Sequence, residues 1–393
     1  MVHLAKKNIC TGCMACVDIC SHHAITSYLD KSGHLYPLIN FEKCIKCGLC
    51  SNVCPILNPL QEINSFAVFN AAWSLDVDLR KKSATAGIFA SLAKFVINNG
   101  GYVVGAAMDG FEVRHIFIND ISRLSLLQGS KYQQGDLTGV YKKCKKLLDI
   151  GTLVLFSGVP CQVSALKKFL KKNYPNLYTV DLICGGFPSL LPMNKFRSKY
   201  PNVKEIISFR NKDDGWKSLN YAYELKVKNE LDQIVNFGSL NLPILAFGLS
   251  MTHRKSCLDC RFAKVNRPSD ITIGDLWGDK HYINQHKNGV SIVITHSDKG
   301  KSLVNSADIK ISPVDKNEVV KFNFALINGV KYVKYHFARM FMPLIYTKSY
   351  DSILNLYLGK GLLGILFRIN SLAVRYMQKT RKRILFYRFI KGK

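Results

Sequence analysis

The same cysteine run occurs twice within the first 54 residues. In "CTGCMACVDIC", Cys10, Cys13, Cys16 and Cys20 have two, two and three residues between them. In "CIKCGLCSNVC", Cys44, Cys47, Cys50 and Cys54 repeat that spacing 34 residues later. Three thiols at such intervals on a tight loop can wrap three corners of an iron–sulfur cube. The fourth starts the next helix and points toward the other cluster. The expectation is one 4Fe–4S cluster on Cys10, Cys13, Cys16 and Cys54, and another on Cys44, Cys47, Cys50 and Cys20. Zinc ribbons bring paired CxxC units from separate turns instead, and disulfides need an oxidising compartment. The opening "MVHLAKKNIC" has two lysines but no apolar stretch of a secretion signal. A reducing, cytoplasmic setting is therefore expected.

Residues 1–62 read as a bacterial-type two-cluster ferredoxin module. Pro55 follows the second run, while Ser21 follows the first, where the turn should be looser. Between the runs, two short apolar stretches flank Asp30-Lys31-Ser32-Gly33, a hairpin turn sequence. A unit this small has little core, so its clusters should help to fold it. Residues 55–65, "PILNPLQEINS", read as a linker.

The remaining chain is long enough for a further α/β domain. Of the 393 residues, 48% are hydrophobic, and the formal charge is +28. Each cluster with its four thiolates carries about −2, so three would remove about six units. The strongly basic remainder suggests an anionic partner, such as a phosphorylated cofactor, an acidic glycan intermediate or a lipid surface. No nucleic-acid-binding pattern is present, and no nucleic acid is expected. Strand-like runs at 102–108, 153–156 and 177–183 alternate with helical ones at 137–148 and 162–172, the pattern of parallel pairing.

The other five cysteines fall into this frame. Cys161 and Cys184 each follow a candidate parallel strand, at the edge where open α/β sheets bind ligands. Cys257 and Cys260 form "CLDC" on a basic segment. Four thiols from three segments make one more candidate site. On spacing alone, a zinc site or two buried core cysteines are equally open readings. Cys144 falls on the apolar face of its helix and reads as a small buried hydrophobe.

At "GSKY", "SGVPCQ", "CGGFPS", "RNKDDGW" and "DITIGDLWG" the sequence resembles the coenzyme F420 hydrogenase/dehydrogenase beta-subunit family, from about Phe66 to about Asn305. The resemblance implies an iron–sulfur flavoprotein that uses FAD. It also implies a third cluster on Cys161, Cys184, Cys257 and Cys260. Three loops are expected to hold the flavin. "KSATAG" offers Ser83 as a helix N-cap and Thr85, Ala86 and Gly87 for backbone approach to a diphosphate. "QGSKYQQG" adds Gly129, Ser130, Lys131 and Tyr132. "SGVPCQ" places Ser157, Gly158, Pro160 and Gln162 around a cluster ligand. Gly185 stands where the family often has a histidine, and no catalytic acid or base can be named.

The fold class expected is α+β, with the ferredoxin module followed by an α/β flavin-binding domain. Its parts are a flavin-binding region at 63–150, a region with the third cluster at 151–345, and a basic amphipathic tail at 346–393. From Ser352 onward there are ten lysines and arginines and no acid. That tail reads either as a helix at the inner membrane surface or as one packed on the body. The function expected is electron passage between the clusters and FAD, with hydride exchange with an organic substrate, F420-like or a glycan-pathway intermediate. A redox partner protein or small electron carrier is expected. Two rivals are an electron-transfer subunit with no substrate of its own, and a non-enzymatic membrane-surface factor in surface polysaccharide synthesis.

Overall fold

The computed structural model describes residues 3–61, 67–212, 215–216, 223–248, 250, 252–278, 281–331, 343–358, 360–361 and 365. Residues 62–66 of the linker and most of the basic tail lie outside them.

In the N-terminal module, β1 (Ile25–Leu29) and β2 (Leu35–Ile39) pair as the antiparallel hairpin expected. The Asp30 carboxylate closes its turn by accepting the backbone N–H of Ser32 and of His34. A short helix begins one residue before the third cysteine of each run: α1 (Ala15–Ile19) and α2 (Leu49–Asn52).

The body adds β3 (Val68–Ser74), α3 (Val77–Lys82), α4 (Ile88–Asn98), β4 (Tyr102–Asp109), β5 (Glu112–Ile118), α5 (Val140–Asp149), β6 (Val154–Gly158), α6 (Pro160–Leu170) and β7 (Leu177–Leu182). Then come β8 (Val203–Arg210), β9 (Tyr223–Asn229), β10 (Ile234–Asn236), β11 (Ile271–Asp275), β12 (Ser291–Thr295) and β13 (Ile309–Pro313). One eight-stranded sheet runs in the order β13-β3-β12-β11-β7-β6-β4-β5. Its centre, β4-β6-β7-β11, is parallel, and the outer pairs are antiparallel. Strands from either side of residue 150 thus share one sheet. A separate antiparallel sheet holds β10, β9 and β8 in that order.

Both sheet faces are covered, which explains the unbroken apolar run Val154-Leu155-Phe156. Leu155 joins Val103, Val180 and α4's Leu92 and Val96 in one core. Val154 and Phe156 point the other way, with Val104, into a core made by α5 and α6. Cys144 is buried in that second core, as a small hydrophobe would be. Phe156→Ala should cost about 3–5 kcal/mol, measurable by denaturant unfolding.

The ferredoxin module shares this second core through Cys13, Ala15 and Val53. It also caps α5. That helix begins after Gly139, whose φ of 86° no side chain favours and which brings no capping group of its own. The buried Asp18 carboxylate from α1 takes the N–H groups of Gly139 (2.5 Å), Tyr141 (2.9 Å) and Lys142 (3.3 Å). An anion there complements both the orphan donors and the helix dipole.

The start of the tail forms a helix, Tyr350–Tyr357, whose Tyr350 ring packs on those of Phe196 and Tyr200 and, with Ile353, joins a core that also holds β8 and β9 residues. Among the described residues, no helix is long and apolar enough to cross a membrane.

Candidate functional site

The doubled sequence produces a doubled backbone. Gly12 and Met14 have positive φ, and so do Lys46 and Gly48, at the same two positions of the second run. These left-handed turns wind each loop around its thiols. Burial pushes the Cys13 thiol up to about 12, with Cys10 and Cys54 adding repulsion. Cys16 is also raised well above the usual thiol range, first by burial and then by Cys13, Cys10 and Cys54. Cys54 therefore sits among the first three thiols of the other run, as a crossing fourth ligand must. The Cys20 sulfur accepts the Ala24 N–H at 3.3 Å. Thiols this hard to ionise stay neutral unless a metal displaces the proton.

The four later cysteines converge. β6 and β7 are parallel neighbours, with Gly158 opposite Asp181, so the residues following them emerge at one sheet edge. Cys161 lies in the first turn of α6, and Cys184 just beyond β7. Cys257 lies on, and Cys260 ends, a short 3-10 turn at Lys255–Asp259. All four thiols line one cavity of about 60 Å³. Burial raises all of them, to about 12 for Cys184 and about 11 for Cys257. The Gly186 N–H reaches the Cys184 sulfur at 3.3 Å and the Phe187 N–H the Cys257 sulfur at 3.5 Å. Such donors stabilise thiolate charge on a cluster. Four thiols from three segments lining one cavity could hold a cubane, whose irons occupy separate corners.

The ferredoxin module also lines this cavity, through Asn8, Ile9, Thr11 and Ile56. Cys13 is also among the charges that raise Cys161. The first ferredoxin site and the later thiols are thus neighbours.

The loops assigned to flavin have a more specific arrangement than the sequence suggested. Ser83 does not start α4; it ends α3, its hydroxyl donating to the Leu79 carbonyl at 2.7 Å. The N-cap of α4 is Gly87, at φ 82°. A Cβ on Gly87 would lie 2.9 Å from the Arg80 backbone, so its missing side chain serves packing between α3 and α4. Gly87→Ala should lower stability by about 1–3 kcal/mol in thermal unfolding, whether or not flavin is bound. Ala86 is buried, its carbonyl accepting the Ser74 N–H. The Thr85 hydroxyl donates to Asp275 at the end of β11.

Gln128 joins two of the loops by donating to the Ser83 hydroxyl at 2.9 Å. Beyond it, Gly129 has φ 79° and nothing within 4 Å of where a Cβ would be. Ser130 is half-buried beside it. Tyr132 stacks on Phe247, with ring centres 3.9 Å apart. In the third loop, Ser157 and Gly158 end β6 and Pro160 starts α6. The Gln162 side-chain carbonyl caps that helix by accepting the Val159 N–H at 2.9 Å.

Among the described residues, the charges around these loops are mostly positive. The Lys212 ammonium donates to the carbonyls of Arg80 (2.7 Å), Ser83 (3.3 Å) and Thr85. Lys131 donates to the carbonyls of Leu126 and Gln128. Arg80 donates to Gln285 and to the Gly289 carbonyl. Among the described residues none of the three forms an ion pair. The carboxylate in their midst, Asp275, is taken by Arg210 at 3.0 Å and by Thr85. Burial pulls Lys131 and Lys212 down to about 7, and Arg80 and Arg210 press Lys212 further. Partly buried cations grouped in this way would suit an anionic group such as a diphosphate. Arg80, Arg210, Lys212 and Asp275 went unassigned in the sequence, although "RNKDDGW" and "DITIGDLWG" contain three of them.

Comparison with known proteins follows this geometry. Residues 151–317 match the C terminus of the coenzyme F420 hydrogenase/dehydrogenase beta subunit, and residues 9–57 match a 4Fe-4S dicluster domain. Over 324 residues the chain is 21% identical to the coenzyme F420-dependent sulfite reductase of Methanocaldococcus jannaschii, covering 78% of this chain and 47% of that protein. It therefore spans about half the length of that relative. It is 41% identical over 44 residues to the ferredoxin-type protein NapF of Haemophilus influenzae, covering 11% of this chain and 25% of that one. A chain of the F420-reducing NiFe hydrogenase complex from Methanosarcina barkeri superposes with a TM-score of 0.46 and 15% identity, over 70% of this chain and 95% of its own.

Proposed function

Because the chain carries the C-terminal domain of the coenzyme F420 hydrogenase/dehydrogenase beta-subunit family behind a 4Fe-4S dicluster domain, we infer that it is an iron–sulfur flavoprotein oxidoreductase. Cys10, Cys13, Cys16 and Cys54 hold the first cluster, and Cys44, Cys47, Cys50 and Cys20 the second. Cys161, Cys184, Cys257 and Cys260 hold a third. FAD lies against the Ser83–Gly87, Gly129–Tyr132 and Ser157–Gln162 loops. When bound, it would supply the step between one-electron and two-electron chemistry.

The observation that carries this reading is the cavity at the parallel strand ends, lined both by four cysteines and by residues of the ferredoxin module. The protein's own residues do three things there. The module brings one thiol set next to another, so electrons need not cross a broad gap. Backbone N–H groups at Gly186 and Phe187 stabilise negative sulfur. Arg80, Lys131 and Lys212 provide the positive charge that a flavin diphosphate needs. The organic substrate is of the F420 type or an acidic glycan intermediate, and a redox partner or small carrier exchanges electrons at the ferredoxin module.

Anaerobic purification followed by iron, sulfide, zinc and flavin analysis tests the reading. It requires about twelve irons and one FAD per chain. About eight irons with one zinc would return the later thiols to a zinc site.

The lysines add a pH dependence. Lys131 and Lys212, lowered to about 7 by burial, lose their charge as pH rises through that value. An anionic ligand binds the protonated forms better, so FAD affinity should fall between pH 6 and pH 8.5 (on the order of tenfold for one such lysine). Fluorescence titration of flavin-stripped protein measures this. A flat profile would mean that these lysines do not face the flavin.

A further inference from the structure

Arg254 is completely buried. Among the described residues it forms no ion pair, although a buried unpaired cation is costly. Its hydrogen bonds reach the loop of the first ferredoxin site, the hairpin beside it and a glutamine of the body. Nε donates to the Cys10 carbonyl at 2.8 Å, Nη2 to the Leu35 carbonyl at 2.8 Å, and Nη1 to the Gln134 side-chain oxygen at 2.9 Å. Nη2 also lies 4.0 Å from the Cys10 sulfur. The guanidinium sits 4.0 Å from the centre of the Tyr36 ring.

The loop is shaped for it. Gly12, between two cysteines of the first run, has φ 68°, and a Cβ there would lie 2.9 Å from the guanidinium carbon. Gln134 completes the clamp by donating to the Gly12 carbonyl at 3.3 Å. On its other side, Arg254 belongs to the later thiol site. Its N–H is held by the Phe187 carbonyl, and its carbonyl holds the Cys257 N–H. One cation therefore stands between the first cluster and the cavity of Cys161, Cys184, Cys257 and Cys260. The described loop of the second run has no comparable arginine among its hydrogen-bond partners.

We propose that Arg254 is the countercharge of the first ferredoxin cluster, holding its reduction potential above that of the second and so drawing the electron to the cluster that faces the third site. This rests on the cluster assignment above. When a cluster takes one electron from an external low-potential donor, its charge goes from about −2 to about −3. A fixed cation at the Cys10 sulfur stabilises the more negative state more, and no proton need move. Arg254 thereby acts as a positioning residue for the electron.

The test is an EPR-monitored redox titration of the anaerobically purified full chain, with dithionite as reductant. The first cluster's signal is identified as the one altered by Cys16→Ser. In Arg254→Gln the first cluster should be at least tenfold harder to reduce, about 59 mV for a one-electron couple, with the second unmoved. Arg254→Lys should restore most of the shift. Gln134→Glu keeps the arginine but sets a carboxylate on it, and should lower the same potential. An Arg254→Gln chain with full iron and an unmoved first potential would overturn the proposal, as would equal shifts in both clusters. Should that variant lose its fold, an unmoved potential in Gln134→Glu overturns it alone. Absence of iron from the wild-type chain would instead sink the cluster assignment itself.

Discussion

Cys184→Ser is expected to lower bound iron from about twelve to about eight atoms per chain, with both ferredoxin clusters retained. Electron passage from the module to flavin should fall to background, because the interrupted step lies between them. The reason is placement. Cys184 follows β7, and its sulfur shares a cavity with Cys161, Cys257 and Cys260. Cys144→Ser provides the control. Cys144 is fully buried, but in the apolar core of α5 and α6, so its replacement should leave iron unchanged. Iron and sulfide assays of both variants separate the outcomes. If Cys144→Ser costs a cluster and Cys184→Ser does not, the ligand set is wrong.

Asp18→Ala is expected to destabilise the chain by about 3 kcal/mol and to loosen the ferredoxin module from the body. Asp18 is buried and satisfies three backbone N–H groups at the start of α5. Alanine would leave them without this partner, and a buried donor left unsatisfied costs about 1–3 kcal/mol, toward the lower end where water can reach it. Asp18→Asn keeps one acceptor and should cost about half as much. Anaerobic denaturant unfolding of the iron-loaded variants measures both. Wild-type stability in Asp18→Ala would mean that water replaces the carboxylate and that the module is held by its apolar contacts alone.

The parts of the fold written in local pattern were legible. The repeated cysteine spacing carried the ferredoxin module, and the apolar run at 153–156 placed Cys161 at a parallel strand end. The start of α4 was misread for a physical reason. Ser83 before small residues resembles an N-cap, yet the chain is still finishing α3 there, and the left-handed turn that begins α4 falls at Gly87. Asp76, the true N-cap of α3, accepts the Leu79 N–H. The basic segment around Arg254 gave no sign of burial in the sequence because its acceptors come from residues 10, 35 and 134. No spacing rule joins such distant positions. The same holds for Lys212, whose three carbonyl acceptors lie well over a hundred residues upstream.

The measurement that tests the central claim most directly is an anaerobic reductive titration of the full, cofactor-loaded chain, counting electrons taken up. Three one-electron clusters and one two-electron flavin accept about five electrons per chain. The cluster spectra and the flavin absorbance should bleach in a single connected titration. Uptake of about two electrons, with no flavin bleaching, would contradict the assignment and leave a two-cluster ferredoxin module on a body without redox chemistry.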